Sequence, residues 1–291
     1  MRKMTVEVPG SCGELLQGTR QGVPLLVTCP IDCYSRATIY QGDVQNSLSP
    51  KAAWMATLAS EFYGVSLENL VIELSTELPI GKGMSSSSAD IAAVAAGIAQ
   101  WGGKKLNPEE ILALCQKIEP TDGTFFEGIL CLDHIEGSYY LALPTPPKIK
   151  IQIFDCGDGI DTMEFNRRTD LQELNRKKEP VVEQAFEYLQ KALGEGNARK
   201  LAEAATSSAL AHQKILPKPH LEQISNKFAE WGALGLNVAH SGTVIGILWE
   251  EDRDELMAKV QKELPKIWPE YRFLRNATLI GGGIVVKEVS D

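Results

Sequence analysis

The sequence predicts an α+β protein of two domains, on three observations. Strand and helix patterns are mixed along the chain and show no repeat. The 291 residues suffice for two modest cores or one large one. A polar, charge-dense stretch over residues 157–179 has little periodicity and carries Asn166-Arg167-Arg168 and Arg176-Lys177-Lys178. It divides the chain into expected domains of residues 1–160 and 161–291.

In the first half, alternating apolar residues predict strands over residues 5–8, 24–28, 34–40 and 70–74. Helical spacing predicts helices over 52–62, 87–101 and 108–118. Strands follow over 128–132, 139–143 and 149–155, with a rigid loop at Pro144-Thr145-Pro146-Pro147. The second half reads as helices over 180–193, 198–212 and 221–231, then strands over 236–239 and 244–249. A helix over 253–264 and closing strands over 271–275 and 277–287 complete it.

Charge and composition exclude several function classes. With 29 basic against 38 acidic residues, a net charge of −9 and a pI near 5.1, the surface does not suit nucleic acid. The longest apolar-looking stretch, residues 89–101, is too short for a bilayer and carries Asp90. Arg2 and Lys3 lead straight into Thr5-Val6-Glu7-Val8, without the apolar core of a signal peptide. A soluble, cytoplasmic protein with no membrane partner is expected. The six cysteines include no Cys-x-x-Cys pair, so reduced, mostly buried thiols are expected and a zinc site is not.

Four motifs carry chemistry. The first is Val8-Pro9-Gly10-Ser11-Cys12-Gly13-Glu14, a strand meeting a Pro-Gly turn and then a carboxylate. The second is Pro79-Ile80-Gly81-Lys82-Gly83-Met84-Ser85-Ser86-Ser87-Ser88, a glycine-spaced, hydroxyl-dense turn joined to an alanine-rich helix. A Gly/Ser-rich loop alone is more often structural than functional. Here an upstream strand at Ile72-Glu73-Leu74, the Pro-x-Gly-x-Gly spacing and four consecutive hydroxyls favour a phosphate cradle at a helix N-terminus. It is neither a Walker A sequence nor a dinucleotide fingerprint. The third is Glu119-Pro120-Thr121-Asp122-Gly123, whose two carboxylates suit magnesium binding and proton acceptance from a hydroxyl. The fourth is Ala239-His240-Ser241-Gly242-Thr243, a small-residue turn between strands that can close over a nucleotide.

In this order, along the whole chain, these motifs resemble those of the GHMP small-molecule kinases, named for galacto-, homoserine, mevalonate and phosphomevalonate kinases. Residues 79–89 match that family's Pro-x-Gly-x-Gly-Leu-Gly-Ser-Ser-Ala-Ala loop, with Met84 for Leu and Ser85 for Gly. The resemblance implies a ribosomal protein S5 domain 2-like N-terminal domain, a ferredoxin-like C-terminal domain, and ATP and Mg2+ as cofactors. It places residues 79–88 around the triphosphate with Ser241 and Gly242, and Ser87 and Glu119 on the magnesium. Asp122 falls where related kinases have a catalytic Asp. Many members pair that Asp with Lys or Arg in the first motif; here Ser11 stands at that position, and Lys82 is the candidate for the missing charge.

Within the family, the motif set is most similar to the members that phosphorylate L-threonine for adenosylcobalamin assembly and propanediol utilisation. That implies transfer from ATP to L-threonine, giving O-phospho-L-threonine and ADP. For this acceptor Glu14 is the candidate for the ammonium and Arg36 or a first-motif N–H for the carboxylate, with Ser11 beside them. Two other readings stay open: a different small hydroxyl acceptor such as homoserine, and a nucleotide-binding protein of the same fold that has lost catalysis.

Overall fold

The computed structural model describes residues 2–43, 48–157 and 162–289. Two long strands form its spine, β1 (Lys3–Arg20) and β2 (Val23–Gln41), paired antiparallel. Both outrun the short strands predicted at 5–8, 24–28 and 34–40, because pairing continues through the turn expected at Pro9-Gly10. Register shifts between Pro9 and Ser11, Ser11 and Glu14, and Glu14 and Leu16 absorb the extra residues. Gly13, at φ 53°, takes a backbone conformation that side chains resist. The Pro-Gly signal therefore marks bulges, which bend a strand and re-aim its side chains.

The first half continues with α1 (Pro50–Tyr63), β3 (Leu70–Thr76), α2 (Ser86–Trp101), α3 (Pro108–Cys115), β4 (Ile129–Leu132), β5 (Tyr140–Leu143) and β6 (Lys150–Asp155). Ser49 caps α1 by accepting from the Ala52 N–H, and Pro50 opens it, a combination that satisfies one orphan donor and removes another. The α2 helix is buried on nearly every face: its alanines and Gly97 let it lie close to β1, β2 and α1.

The second half holds α4 (Thr162–Asn166), α5 (Leu171–Gly194), α6 (Ala198–His212), α7 (Leu221–Asn226), α8 (Phe228–Trp231), β7 (Gly235–Val238), β8 (Val244–Trp249), α9 (Asp254–Ile267), β9 (Arg272–Thr278) and β10 (Val285–Val289). The helix predicted from residue 180 begins at Leu171, inside the stretch read as an irregular connection. Lys178, Val182, Ala185 and Leu189 share a buried face at helical spacing, whereas the charges around them and Pro180 mask that register in the sequence. The helix predicted over 221–231 is split into α7 and α8, and β9 runs through the expected break at residue 276. The expected domain boundary between residues 160 and 161 lies outside the described residues.

All ten strands of the described residues join one sheet in the order β5-β4-β2-β1-β7-β8-β6-β9, with β3 on β2 and β10 on β1. The halves meet in the sheet at several pairings: β6 lies between β8 and β9, β10 pairs with β1, and β1 meets β7 where Glu14 faces Val238. The sheet thus brings the first and fourth motifs side by side, at a bulge. Among the described residues, no helix is long and apolar enough to cross a membrane.

The α6 backbone approaches β7 at Gly235, where a Cβ would lie 2.6 Å from the Ala202 carbonyl oxygen and 2.5 Å from Thr206 Oγ1. Gly235→Ala is expected to push helix and strand apart, costing about 1–3 kcal/mol in urea unfolding. An unchanged midpoint would contradict this packing.

Candidate active site

The second motif folds as a cradle at the start of α2. Gly81, Gly83 and Ser85 take φ of 71°, 82° and 57°, alternating with residues of negative φ. Such alternation turns successive N–H groups towards one side, an arrangement suited to anions. No acidic residue stands in the first turn of α2. Ser85 is the outlier, since a left-handed conformation costs a non-glycine residue roughly 1–2 kcal/mol. Its hydroxyl offsets that strain: it hydrogen-bonds Ser11 Oγ and also the Asp122 carboxylate.

Three motifs clasp one another through backbone. Ser11 N–H donates to the Met84 carbonyl at 3.1 Å and Gly13 N–H to the Gly83 carbonyl at 3.2 Å. From the β7–β8 turn, Thr243 and Val244 N–H donate to the Lys82 carbonyl at 2.9 and 3.1 Å. The approach leaves no room for side chains: a Cβ on Gly242 would sit 2.3 Å from the Lys82 oxygen. The Lys82 ammonium completes the clasp, 2.8 Å from Asp155 Oδ2 and 2.5 Å from the Gly157 carbonyl oxygen. Asp155 also accepts from Thr243 Oγ1 at 2.5 Å.

Beneath the clasp is a cleft of about 180 Å³. Of the residues singled out from the sequence, it gathers Glu14, Ile80, Gly81, Gly83, Met84, Ser85, Ser86, Ser87, Ser88, Glu119, Asp122 and Ser241. Pro79, Lys82, Gly242 and Ser11 stand behind this lining, and Ser11 is fully buried. Arg36 is not brought to the cleft. It faces Glu7 across the β1–β2 pair and is held by Glu7 at 2.8 Å and Glu77 at 3.0 Å. The N–H groups of Ser11 and Gly13, donated to the cradle, are likewise committed.

One wall is acidic. Burial pushes the Asp122 carboxyl up to about 6, with the negative charge of Glu119 adding to the effect and the Ser85 hydrogen bond opposing it. Burial, then the charge of Asp122, raises Glu14 well above the usual carboxylate range, and its Oε2 has no hydrogen-bond partner.

Lys51 enters the cleft from the first turn of α1 and was not singled out from the sequence. Its ammonium pairs with Glu119 and lies 3.5 Å from Ser87 Oγ. A cation at a helix N-terminus opposes the helix dipole, and that misfit was the available signal. The position also tests whether the site suits magnesium. A carboxylate and a hydroxyl already converge on a positive charge, and oxygen donors of this kind suit a hard divalent ion. Among the described residues no group of three His, Cys, Asp or Glu could hold a metal, so Mg2+ here would complete its shell with phosphate oxygens and water.

The lining also carries a histidine wall of His134, Met163, Asn166 and His240; the His134 carbonyl accepts from the Thr121 N–H at 3.1 Å, beside Asp122. His134 Nδ1 and Asn166 Nδ2 are buried without partners. His240 is packed by His134 and Phe165, with ring centroids 5.1 and 5.2 Å away. Asn166 gave no signal in the sequence, because it belongs to a segment read as a connection.

Residues 50–128 match the GHMP kinases N terminal domain family. An L-threonine kinase of Salmonella typhimurium strain LT2 is 34% identical over 285 residues, 96% of this chain and 94% of that protein. An L-threonine kinase of Citrobacter freundii is 32% identical over 96% of this chain and 98% of that one. The chain belongs to the GHMP kinase family, and it is a small-molecule kinase. Among solved structures, a homoserine kinase from Cytophaga hutchinsonii superposes with a TM-score of 0.69 at 16% identity, over 98% of this chain and 97% of that one. MDDEF, in complex with MVAPP, AMPPCP and magnesium, gives 0.69 at 14% identity, over 99% of each chain. These two show the shared fold.

Gly242→Ala is expected to weaken nucleotide binding at least about tenfold by calorimetry, the consequence of roughly 1.4 kcal/mol or more of misfit in the clasp. Affinity equal to the parent's would contradict the fit between turn and cradle.

Proposed function

We propose that the protein transfers the γ-phosphoryl group of ATP to the hydroxyl of L-threonine, giving O-phospho-L-threonine and ADP. The observation that carries this reading is the pairing, in one cleft, of an anion cradle at the α2 N-terminus with two carboxylates, buried Glu14 and half-buried Asp122. Two relatives named L-threonine kinase, matched over nearly the whole chain, support the choice of acceptor. Service to adenosylcobalamin assembly and propanediol utilisation, in the cytoplasm, belongs to the same reading.

The N–H groups and hydroxyls of residues 81–88 would hold the triphosphate, with exposed Ile80 at the mouth offering an apolar face to the base. Ser87 and Glu119 would hold Mg2+, which supplies charge neutralisation between the phosphates when bound. Lys51 is within reach of the same oxygens, so the positive charge that the first motif lacks comes from α1 in this reading. Lys82 is spent on the clasp. Threonine presents an ammonium and a hydroxyl on adjacent carbons, matching two carboxylates close enough for Asp122 to perturb Glu14. Glu14 would take the ammonium. Asp122 would orient the hydroxyl and accept its proton as the O–P bond forms.

Asp122→Asn is expected to lower kcat by about 10²–10⁴-fold while ATP binding is retained. Full turnover in that variant would remove Asp122 from the chemistry. Because Asp122 must be ionised to accept a proton and its carboxyl titrates near about 6, kcat/KM should fall as pH drops through that value. A flat profile from pH 5 to 8 would contradict the assignment. Lys51→Met is expected to lower kcat by at least about 10²-fold, as loss of a charge aimed at a transferring phosphoryl group does. A change in ATP affinity alone, with kcat intact, would reduce Lys51 to a binding role.

A further inference from the structure

Behind the histidine wall lies a group of buried cations that the phosphoryl transfer does not use. Lys178, on the buried face of α5, has its ammonium 3.1 Å from His212 Nδ1. His212 Nε2 lies 3.0 Å from the His240 carbonyl oxygen. These partners assign the tautomer: Nδ1 accepts from the ammonium and Nε2–H donates to the carbonyl. Gln17 Nε2 donates to the Val238 carbonyl, so its Oε1 accepts from His240 Nδ1–H at 3.1 Å. Lys218 is also buried, and its charge acts on both His212 and His240. Among the described residues neither lysine forms an ion pair. Burial lowers Lys178 to about 7 and Lys218 to about 8, so both amines are costly to charge where they stand, and such costs collect where a site needs the charge.

The cleft in front of them is polar. Its lining includes an acceptor, Glu14 Oε2, and two further polar nitrogens, Asn166 Nδ2 and His134 Nδ1, all three buried and unpartnered. A zwitterion satisfies both kinds of group with charge-assisted hydrogen bonds, where a neutral sugar or alcohol offers only weaker neutral ones.

We infer that the histidine wall is the carboxylate-binding pole of an α-amino-acid acceptor, with Asn166 and His134 donating to the carboxylate and buried Lys178 and Lys218 supplying the field behind them. The inference rests on the acceptor reading above and goes further by naming the groups that select its carboxylate. Ammonium at Glu14, hydroxyl at Asp122 and carboxylate at Asn166 and His134 make three points, which also fix the hand of the substrate. Arg36, the obvious cation in the sequence, has no part in it.

The test compares L-threonine with L-threoninamide, which keeps the amine and hydroxyl and loses the anionic charge. The parent should prefer threonine in kcat/KM, and His134→Phe and Asn166→Leu should each cut that preference about tenfold, the worth of a hydrogen bond to a charged group, with KM for ATP unchanged. Lys178→Met should narrow the preference by a smaller factor and melt no lower than the parent, since it removes a buried, unneutralised charge. An unchanged preference in both wall variants overturns the inference, as does a KM for ATP that rises in step with that for threonine, which would give the wall to the triphosphate. An unaltered preference in Lys178→Met alone overturns the part played by the field. If the parent phosphorylates threonine and threoninamide equally, the inference fails and the acceptor reading stands; if it phosphorylates neither, both fall together.

Discussion

The site depends on a close approach of backbones. Gly13, Gly83 and Gly242 bring three segments from distant parts of the chain so near that a Cβ on any of them would lie within 2.5 Å of a neighbouring atom. What holds them is a short set of N–H to carbonyl bonds from Ser11, Gly13, Thr243 and Val244 to the cradle. The N–H groups of the cradle are thereby left to face the cleft, while its carbonyls are turned back and satisfied. The bulges in β1 serve the same end, since they set Ser11 and Gly13 where the cradle's carbonyls pass. The Lys82–Asp155 pair lies at the edge of this arrangement, partly exposed, and locks it without entering the cleft.

Charge is then distributed around that frame with little cancellation. Asp122, Glu14 and Glu119 lie close together, so that burial and mutual repulsion raise Glu14 and Asp122 while Glu119 pairs with Lys51. Buried Lys178 and Lys218 act on His212 and His240 behind the lining. Ser85 ties the frame to the charges, being at once the strained residue at the α2 N-terminus and a hydrogen-bond donor to Asp122. Glycine would relieve the strain and lose the tie.

The parts of this design that were legible in the sequence are those whose chemistry is local. Glycine spacing, consecutive hydroxyls and the start of an apolar helix are all written within residues 79–99, and the strand and helix order follows from patterning. What required tertiary structure could not be read the same way. Arg36 looked free as a formal charge, yet the β1–β2 register sets it opposite Glu7. Lys178 was hidden in a basic run, although its spacing from Val182 and Ala185 marks a buried face. Lys51 and Asn166 reach the cleft from elements whose direction no local pattern encodes, and the long β1 looked short because a bulge and a turn use the same residues.

The central claim is that the cradle and the acidic wall bind the two reactants of one phosphoryl transfer. A crystal structure with a non-hydrolysable ATP analogue, Mg2+ and L-threonine tests it most directly. The account predicts phosphate oxygens on the N–H groups of residues 81–88 and the threonine hydroxyl within about 3 Å of Asp122, facing the γ-phosphate. A nucleotide bound elsewhere, or a threonine hydroxyl turned away from Asp122, would contradict it.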